Sequence, residues 1–156
     1  EMYYTLIDRL TAAGYEHYEL SNFAEPGYRS RHNSSYWNDV PYIGIGASAH
    51  SYDGQCRRCN VSNIEEYIKG IENGKPAFEE ESIDEDTHYN DRIATALRTC
   101  EGLDLSTLLT HQRKHLLSSA QRYVDCGMLT LSDNHARLTR SGLFVSDMIM
   151  ADLIMV

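Results

Sequence analysis

The chain has 156 residues, of which 24% are charged and 42% hydrophobic, and it carries a formal net charge of -9. That acidity argues against a broad nucleic-acid surface, because phosphate binding is driven by clustered Lys and Arg that release counterions. No apolar run is long enough to span a bilayer and neither end reads as a signal peptide, so a soluble, cytoplasmic protein is expected.

At the start, "EMYYTLIDRL" spaces Met2, Leu6, Ile7 and Leu10 as one helical face, and Gly14 marks a turn before an extended run. The chain opens at Glu1, without an initiator Met, in what reads as the middle of a fold; a fragment of a longer protein is expected. The segment "YEHYELSNF", from Tyr15, reads as one strand. Turn signals follow at "EPG", "NDVP", "GIG" and "DG" (Glu25 to Gly54), bracketing a long ordered loop with short strands such as "YIGIGASAHSY".

The four cysteines, Cys56, Cys59, Cys100 and Cys126, are too few and too scattered for a disulfide framework. Cys56 and Cys59 form "CRRC", half of a closed zinc site; His50 lies nearby, but no second pair follows. A redox CxxC would open a helix in a thioredoxin-like βαβ unit, a pattern not visible here. These cysteines are therefore expected to be structural. The acidic run "EEESIDED", Glu79 to Asp86, reads as a solvated boundary before the next helix.

From about Val61 the chain becomes helix-rich. In "SNIEEYIKGIEN", Ser62 or Asn63 caps a helix whose apolar stripe is Ile64, Tyr67, Ile68 and Ile71, stopped by Gly74. "THYNDRIATALRTC" aligns Tyr89, Ile93, Ala96, Leu97 and Cys100, and "HLLSSAQRYVDCG" aligns Leu116, Leu117, Ala120, Tyr123 and Val124 before Gly127. "MLTLSDNHARLT" is a hairpin signal, and "LFVSDMIMADLIMV" reads as a buried helix. Helix, connector, helix, hairpin, helix is the order of a winged helix. DNA binding would draw on Arg113, Lys114 and Arg122 of the helix and on Arg137 and Arg140 of the wing. In so acidic a chain, a packing or protein-contact role is the better expectation.

One stretch is more specific. "GYEHYELSNFAEPGYRSRHNSSYWNDVPYIGIGASAHSY", Gly14 to Tyr52, resembles the segment shared by oxygen-independent coproporphyrinogen III oxidase-like proteins of the radical S-adenosylmethionine class, especially their heme-chaperone branch. Its HNxxYW is met by His32, Asn33, Tyr36 and Trp37, and its GIGxxAHS by Gly44 to Ser51. "LRTCEGLDL" and "ARLTRSGLFVSD" are similar to that family's C-terminal domain.

The resemblance implies an α+β architecture: residues 1–60 would hold the last helix and strand of a partial (βα) radical-SAM barrel with a long HNxxYW loop, and residues 61–156 a helical, winged-helix-like C-terminal domain. It also implies a [4Fe-4S] cluster and S-adenosylmethionine in the full-length protein. Their CxxxCxxC motif is absent here, since Tyr52 stands where the first cysteine would be, so the fragment is expected to be non-catalytic. The implied partners are a tetrapyrrole, either heme or coproporphyrinogen, and the missing N-terminal barrel half; an unpaired strand at "YEHYEL" would favour a homodimer.

A tetrapyrrole site needs an aromatic wall, an axial nitrogen and cationic partners for carboxylates. His32 is the candidate axial ligand, Tyr36 and Trp37 the wall, Arg31 or Arg29 a propionate partner, and Asn33 an orienting group. The alternative is that these side chains simply pack and cap the loop. Tyr15, Glu16 and Glu19 would lie on the strand facing substrate and S-adenosylmethionine, with Glu16 and Glu19 on opposite faces if the strand is regular. His50 is expected to fill a core. The open alternatives are part of an oxidase, a heme-binding chaperone module, and a winged-helix interaction domain.

Overall fold

A computed structural model describes residues 1–155. The chain packs as two compact units, one made of residues 1–38 together with the chain from residue 88 onward, the other of residues 39–87. This division is not the break near residue 60 that the change in sequence texture suggests, because packing joins segments distant in the sequence.

In the first unit, α1 (Met2–Ala12) leads into β1 (Glu16–Glu19) and β2 (Asn22–Ala24). The run expected as one strand is thus an antiparallel hairpin, with a register shift between His17 and Glu19. The fold-back is driven locally: Glu19 turns its carboxylate onto the backbone N–H and hydroxyl of Ser21 and the amide of Asn22. The edge of β1 expected to be open is engaged, with Cys100 N donating to Tyr18 O at 3.1 Å and Leu20 N to Arg98 O at 3.0 Å.

The helices of the C-terminal part are α4 (Glu85–Ala96), α5 (Thr110–Asp125), α6 (Arg140–Leu143) and α7 (Ser146–Leu153). They enclose a three-stranded antiparallel sheet of order β6-β8-β7, formed by Leu103–Asp104, His135–Leu138 and Leu129–Ser132. The β7–β8 turn holds Asp133 and Asn134 at φ 51° and 60°, the double left-handed turn that matches the twist of a hairpin. Tyr89, Ile93, Leu97, Leu103, Leu116, Leu129, Ile149 and Leu153 form the core. Tyr89 closes it by donating its hydroxyl to Leu153 O at 2.8 Å, and burial pushes that phenol up from its ordinary pKa. Gly102 is required where it stands: its φ is +73° and a Cβ there would lie 2.2 Å from Ala136 O. Cys100 falls beyond the end of α4 and is exposed rather than part of its apolar face, and Leu117 on α5 is also exposed.

The second unit holds β3 (His50–Tyr52), β4 (Cys56–Asn60) and β5 (Phe78–Ser82) in an antiparallel sheet of order β3-β4-β5, with α3 (Ile64–Glu72). The acidic run expected as a solvated boundary contributes its first half to β5, where Glu80 and Glu81 face Arg58 and Arg57 across the ladder. Helix α3 starts as expected, with the Asn63 side chain accepting from Glu66 N at 3.0 Å, yet its stripe is open: Ile64 is 66% exposed, and Ile68 and Ile71 about half. Every strand pairing among the described residues is antiparallel, and no closed barrel is present there. Among the described residues no helix is long and apolar enough to cross a membrane.

Candidate functional site

The HNxxYW segment, expected as loop, is helix α2 (Arg31–Trp37). Ser30 makes the difference: its backbone is extended and its Oγ accepts from Asn33 N at 3.2 Å, so it works as an N-cap. A seven-residue helix is far below the length that is stable alone, so tertiary contacts must hold it. Trp37, half-buried, meets the ring of Tyr18 edge-on with centroids 6.0 Å apart. At the other end, Ser30 N donates to the Tyr18 hydroxyl at 3.3 Å.

The periodicity of α2 then sorts its residues. Trp37 turns to the hairpin, while His32 and Tyr36, one turn apart, lie on an exposed face with their rings edge-to-face at 5.0 Å. Among the described residues no hydrogen bond occupies a ring nitrogen of His32. Arg31 is exposed, with its backbone carbonyl accepting from Ser35 Oγ, and Asn33 is half-buried near the cap. The structure therefore pairs His32 with Tyr36 on one exposed face and turns Trp37 toward Tyr18, while Arg31 is exposed next to His32 in the sequence.

Arg29 has a different place from Arg31. Its guanidinium lies 5.3 Å over the Tyr18 ring and reaches Glu16 at 2.8 Å and Glu101 at 2.6 Å. Those hydrogen bonds, first from Glu101 and then Glu16, raise its pKa further, so it stays charged. For Glu101 burial pushes upward, but the hydrogen bonds from Arg29, Cys100 and the backbone, with the Arg29 charge, together outweigh it and the net shift is downward. Nothing in the sequence pattern signals this brace, because Glu16 and Glu101 are 13 and 72 positions from Arg29 along the chain.

Of the strand residues, Glu19 is only 2% exposed and receives Arg98 Nε and Nη2 at 2.9 Å, in addition to Ser21 and Asn22. Burial raises its pKa, but the hydrogen bonds prevail and hold the carboxyl below its ordinary value. Glu16 faces Arg29, and Tyr15 is half-buried just before β1. Both carboxylates are thus satisfied within the chain. Glu19 and Arg98 border a small cavity of about 170 Å³ that also touches His17, Arg137 and Leu143.

In the second unit, His50 stands opposite Cys59 in the sheet register, with Nε2 3.6 Å from the thiol sulfur. His50 is exposed, contrary to the expectation of a core histidine. Cys56 and Cys59, three residues apart on one strand, project to opposite faces. Among the described residues no three His, Cys, Asp or Glu side chains are gathered to hold a metal ion. The cysteines present do not fit a [4Fe-4S] cluster, which needs three or four converging thiolates. Of the basic groups weighed for DNA, Arg122 binds Asp152, Arg137 donates to Glu101 O, Arg140 pairs with Asp8, and Arg113 donates to Asn134.

Comparison with known proteins agrees with the family resemblance seen in the sequence. Residues 83–145 match the family described as the HemN C-terminal domain. The heme chaperone HemW of Mycobacterium tuberculosis is 30% identical over 153 residues, 97% of this chain and 38% of that protein. HemW of Bacillus subtilis is 36% identical over 104 residues, 66% of this chain and 27% of that protein. The chain therefore spans well under half the length of these relatives. Among solved structures, coproporphyrinogen III oxidase (HemN) from Escherichia coli, a radical SAM enzyme, superposes with a TM-score of 0.68 at 18% identity, covering 96% of this chain and 39% of that one. That likeness establishes a shared fold. The chain thus belongs, as a part, to the family of the HemW proteins, with the HemN C-terminal domain at residues 83–145.

Proposed function

We propose that the protein handles heme, and that α2 is where it meets the tetrapyrrole. One observation carries this reading: His32, whose ring nitrogens carry no hydrogen bond among the described residues, stands edge-to-face with Tyr36 on an exposed helical surface, and the exposed Arg31 is its neighbour in the sequence. An imidazole can ligate iron axially, a neighbouring aromatic ring can lie against the macrocycle, and a guanidinium can take a propionate through charge-assisted hydrogen bonds. Asn33 and Trp37 then serve as orienting and anchoring groups. Trafficking is favoured over oxidation by the relatives above, which are HemW proteins at 30–36% identity, whereas the oxidase shares the fold at 18%.

The cluster and S-adenosylmethionine belong, in this reading, to the part of the protein beyond these residues, where α1 and β1 would end a partial barrel that Tyr15, Glu16 and Glu19 border. The module of α4, α5 and the β6-β8-β7 sheet is read as winged-helix-like. The internal pairing of Arg113, Arg122, Arg137 and Arg140 supports a packing role for it over nucleic-acid binding.

The test is an anaerobic hemin titration of the chain against its His32→Ala variant. A stoichiometric Soret shift lost in the variant supports the reading; a shift indifferent to His32, or no shift in the wild type, refutes it.

A further inference from the structure

We infer that Tyr18, braced by Arg29, is the positioning residue that sets where His32 points; the inference rests on the heme reading for its functional meaning and on geometry for its mechanism. Helix α2 spans about 10 Å at 1.5 Å per residue, so a single buried side chain can touch both its ends. Tyr18, 4% exposed, does so: its hydroxyl accepts from the N-cap Ser30 N at 3.3 Å and its ring takes the edge of Trp37 at 6.0 Å. Ring and hydroxyl act in different directions, one fixing the C-terminal end of the helix and the other its start. Together they remove both the roll and the tilt that a capped single helix would keep.

Tyr18 is itself fixed. Its backbone carbonyl accepts from Cys100 N, and Arg29 covers its other surface while holding Glu16 of β1 and Glu101 beyond α4. Arg29 immediately precedes the cap residue Ser30, so the same fork that stacks on Tyr18 also fixes the chain entering α2. Lysine could not reproduce this, having one point charge and no planar face to stack on a ring. The Arg29 guanidinium, already engaged by two carboxylates and an aromatic ring, is thereby assigned to orientation.

The protein carries its own reporter, since Trp37 is its single tryptophan. The experiment measures acrylamide quenching of Trp37 without heme, and hemin affinity with the Soret position, for wild type, Tyr18→Leu, Tyr18→Phe, Arg29→Lys and Glu101→Gln. Far-UV circular dichroism identifies variants that keep the fold, and the surface variant Glu101→Gln secures the test if Tyr18→Leu does not. Tyr18→Leu should make Trp37 more quenchable, weaken hemin binding about ten-fold and move the Soret band toward that of free hemin. Tyr18→Phe and Arg29→Lys should show the same changes in part, and Glu101→Gln the smallest. Unchanged quenching in folded variants overturns the inference, and so does raised quenching with hemin binding and Soret position untouched. If wild type binds no hemin, the heme reading fails, and quenching alone then decides whether Tyr18 and Arg29 set the helix.

Discussion

The unit formed by residues 1–38 and 88 onward buries a continuous core in which Ile93, Leu103, Leu116, Ile149 and Leu153 are completely enclosed, whereas in residues 39–87 the most enclosed apolar side chain, Tyr52, is still 9% exposed. The second unit instead exposes Ile43 and Ile45 by 85% and 88% and leaves the α3 stripe open, relying on its sheet ladder, with solvent-exposed Arg–Glu pairs lying across β4 and β5. Identical residue types thus do different things in the two units. Burial stabilises in proportion to apolar area removed from water, so an isoleucine of α3 contributes little where one of α4 contributes much.

That contrast can be broken by substitution. Leu116→Ala in the first unit should cost about 2–5 kcal/mol in urea denaturation, through lost transfer energy and a residual cavity. The counterpart Ile64→Ala should stay within about 0.5 kcal/mol of wild type. Equal costs would mean that the α3 stripe is covered in solution.

Next in size is the buried polar anchor of the first unit. Glu19→Gln should lose about 2–3 kcal/mol, the lower end for a buried ion pair because Arg98 is partly solvated. The sign of its pH dependence follows from its lowered pKa. The stabilisation is fully present above the ordinary glutamate value of 4.5 and disappears as the pH falls through the lower folded-state value. Acid denaturation followed by circular dichroism should therefore show a contribution in wild type that Glu19→Gln lacks.

Gly102→Ala should cost about 2 kcal/mol, since strain at positive φ is joined by the collision with Ala136 O. Gly46→Ala in the second unit, at φ +115° with open space around it, should show the backbone component alone, about 1 kcal/mol. The smallest effect belongs to Arg58→Ala, which removes an exposed pair with Glu80 and should leave the denaturation midpoint unchanged. A clear loss there would show that the second unit depends on its cross-strand charges more than surface pairs generally allow.

Where local rules act alone, the sequence was readable. The cap and stop of α3, the stop of α5, the Asp133–Asn134 turn and most of the apolar faces of α4 and α5 follow from spacing and turn chemistry within a few residues; the start of α5 at Thr110 does not. Legibility fails where a distant partner decides. "YEHYELSNF" reads as a single strand until Glu19 folds it back onto Ser21 and Asn22 and receives Arg98; "EEES" reads as solvated charge until Arg57 and Arg58 supply the opposite strand. For the candidate site, residue types and the HNxxYW pattern pointed to His32 and Tyr36 directly, but not to their sharing an exposed face while Trp37 turns inward.

By itself the sequence determined the family, the longer helices of the C-terminal part and its hairpin, and the residue set from which a tetrapyrrole contact could be built; the short α6 was not among them. Those properties depend on pattern and on side-chain chemistry, which are local. The tertiary structure decided that the HNxxYW segment is a helix, that Arg29 braces it and does not share its exposed face, and that one isoleucine stripe is buried while another is not. A short helix has no stability of its own, and an ion pair or an apolar face acquires its energy only from the partner that folding brings to it.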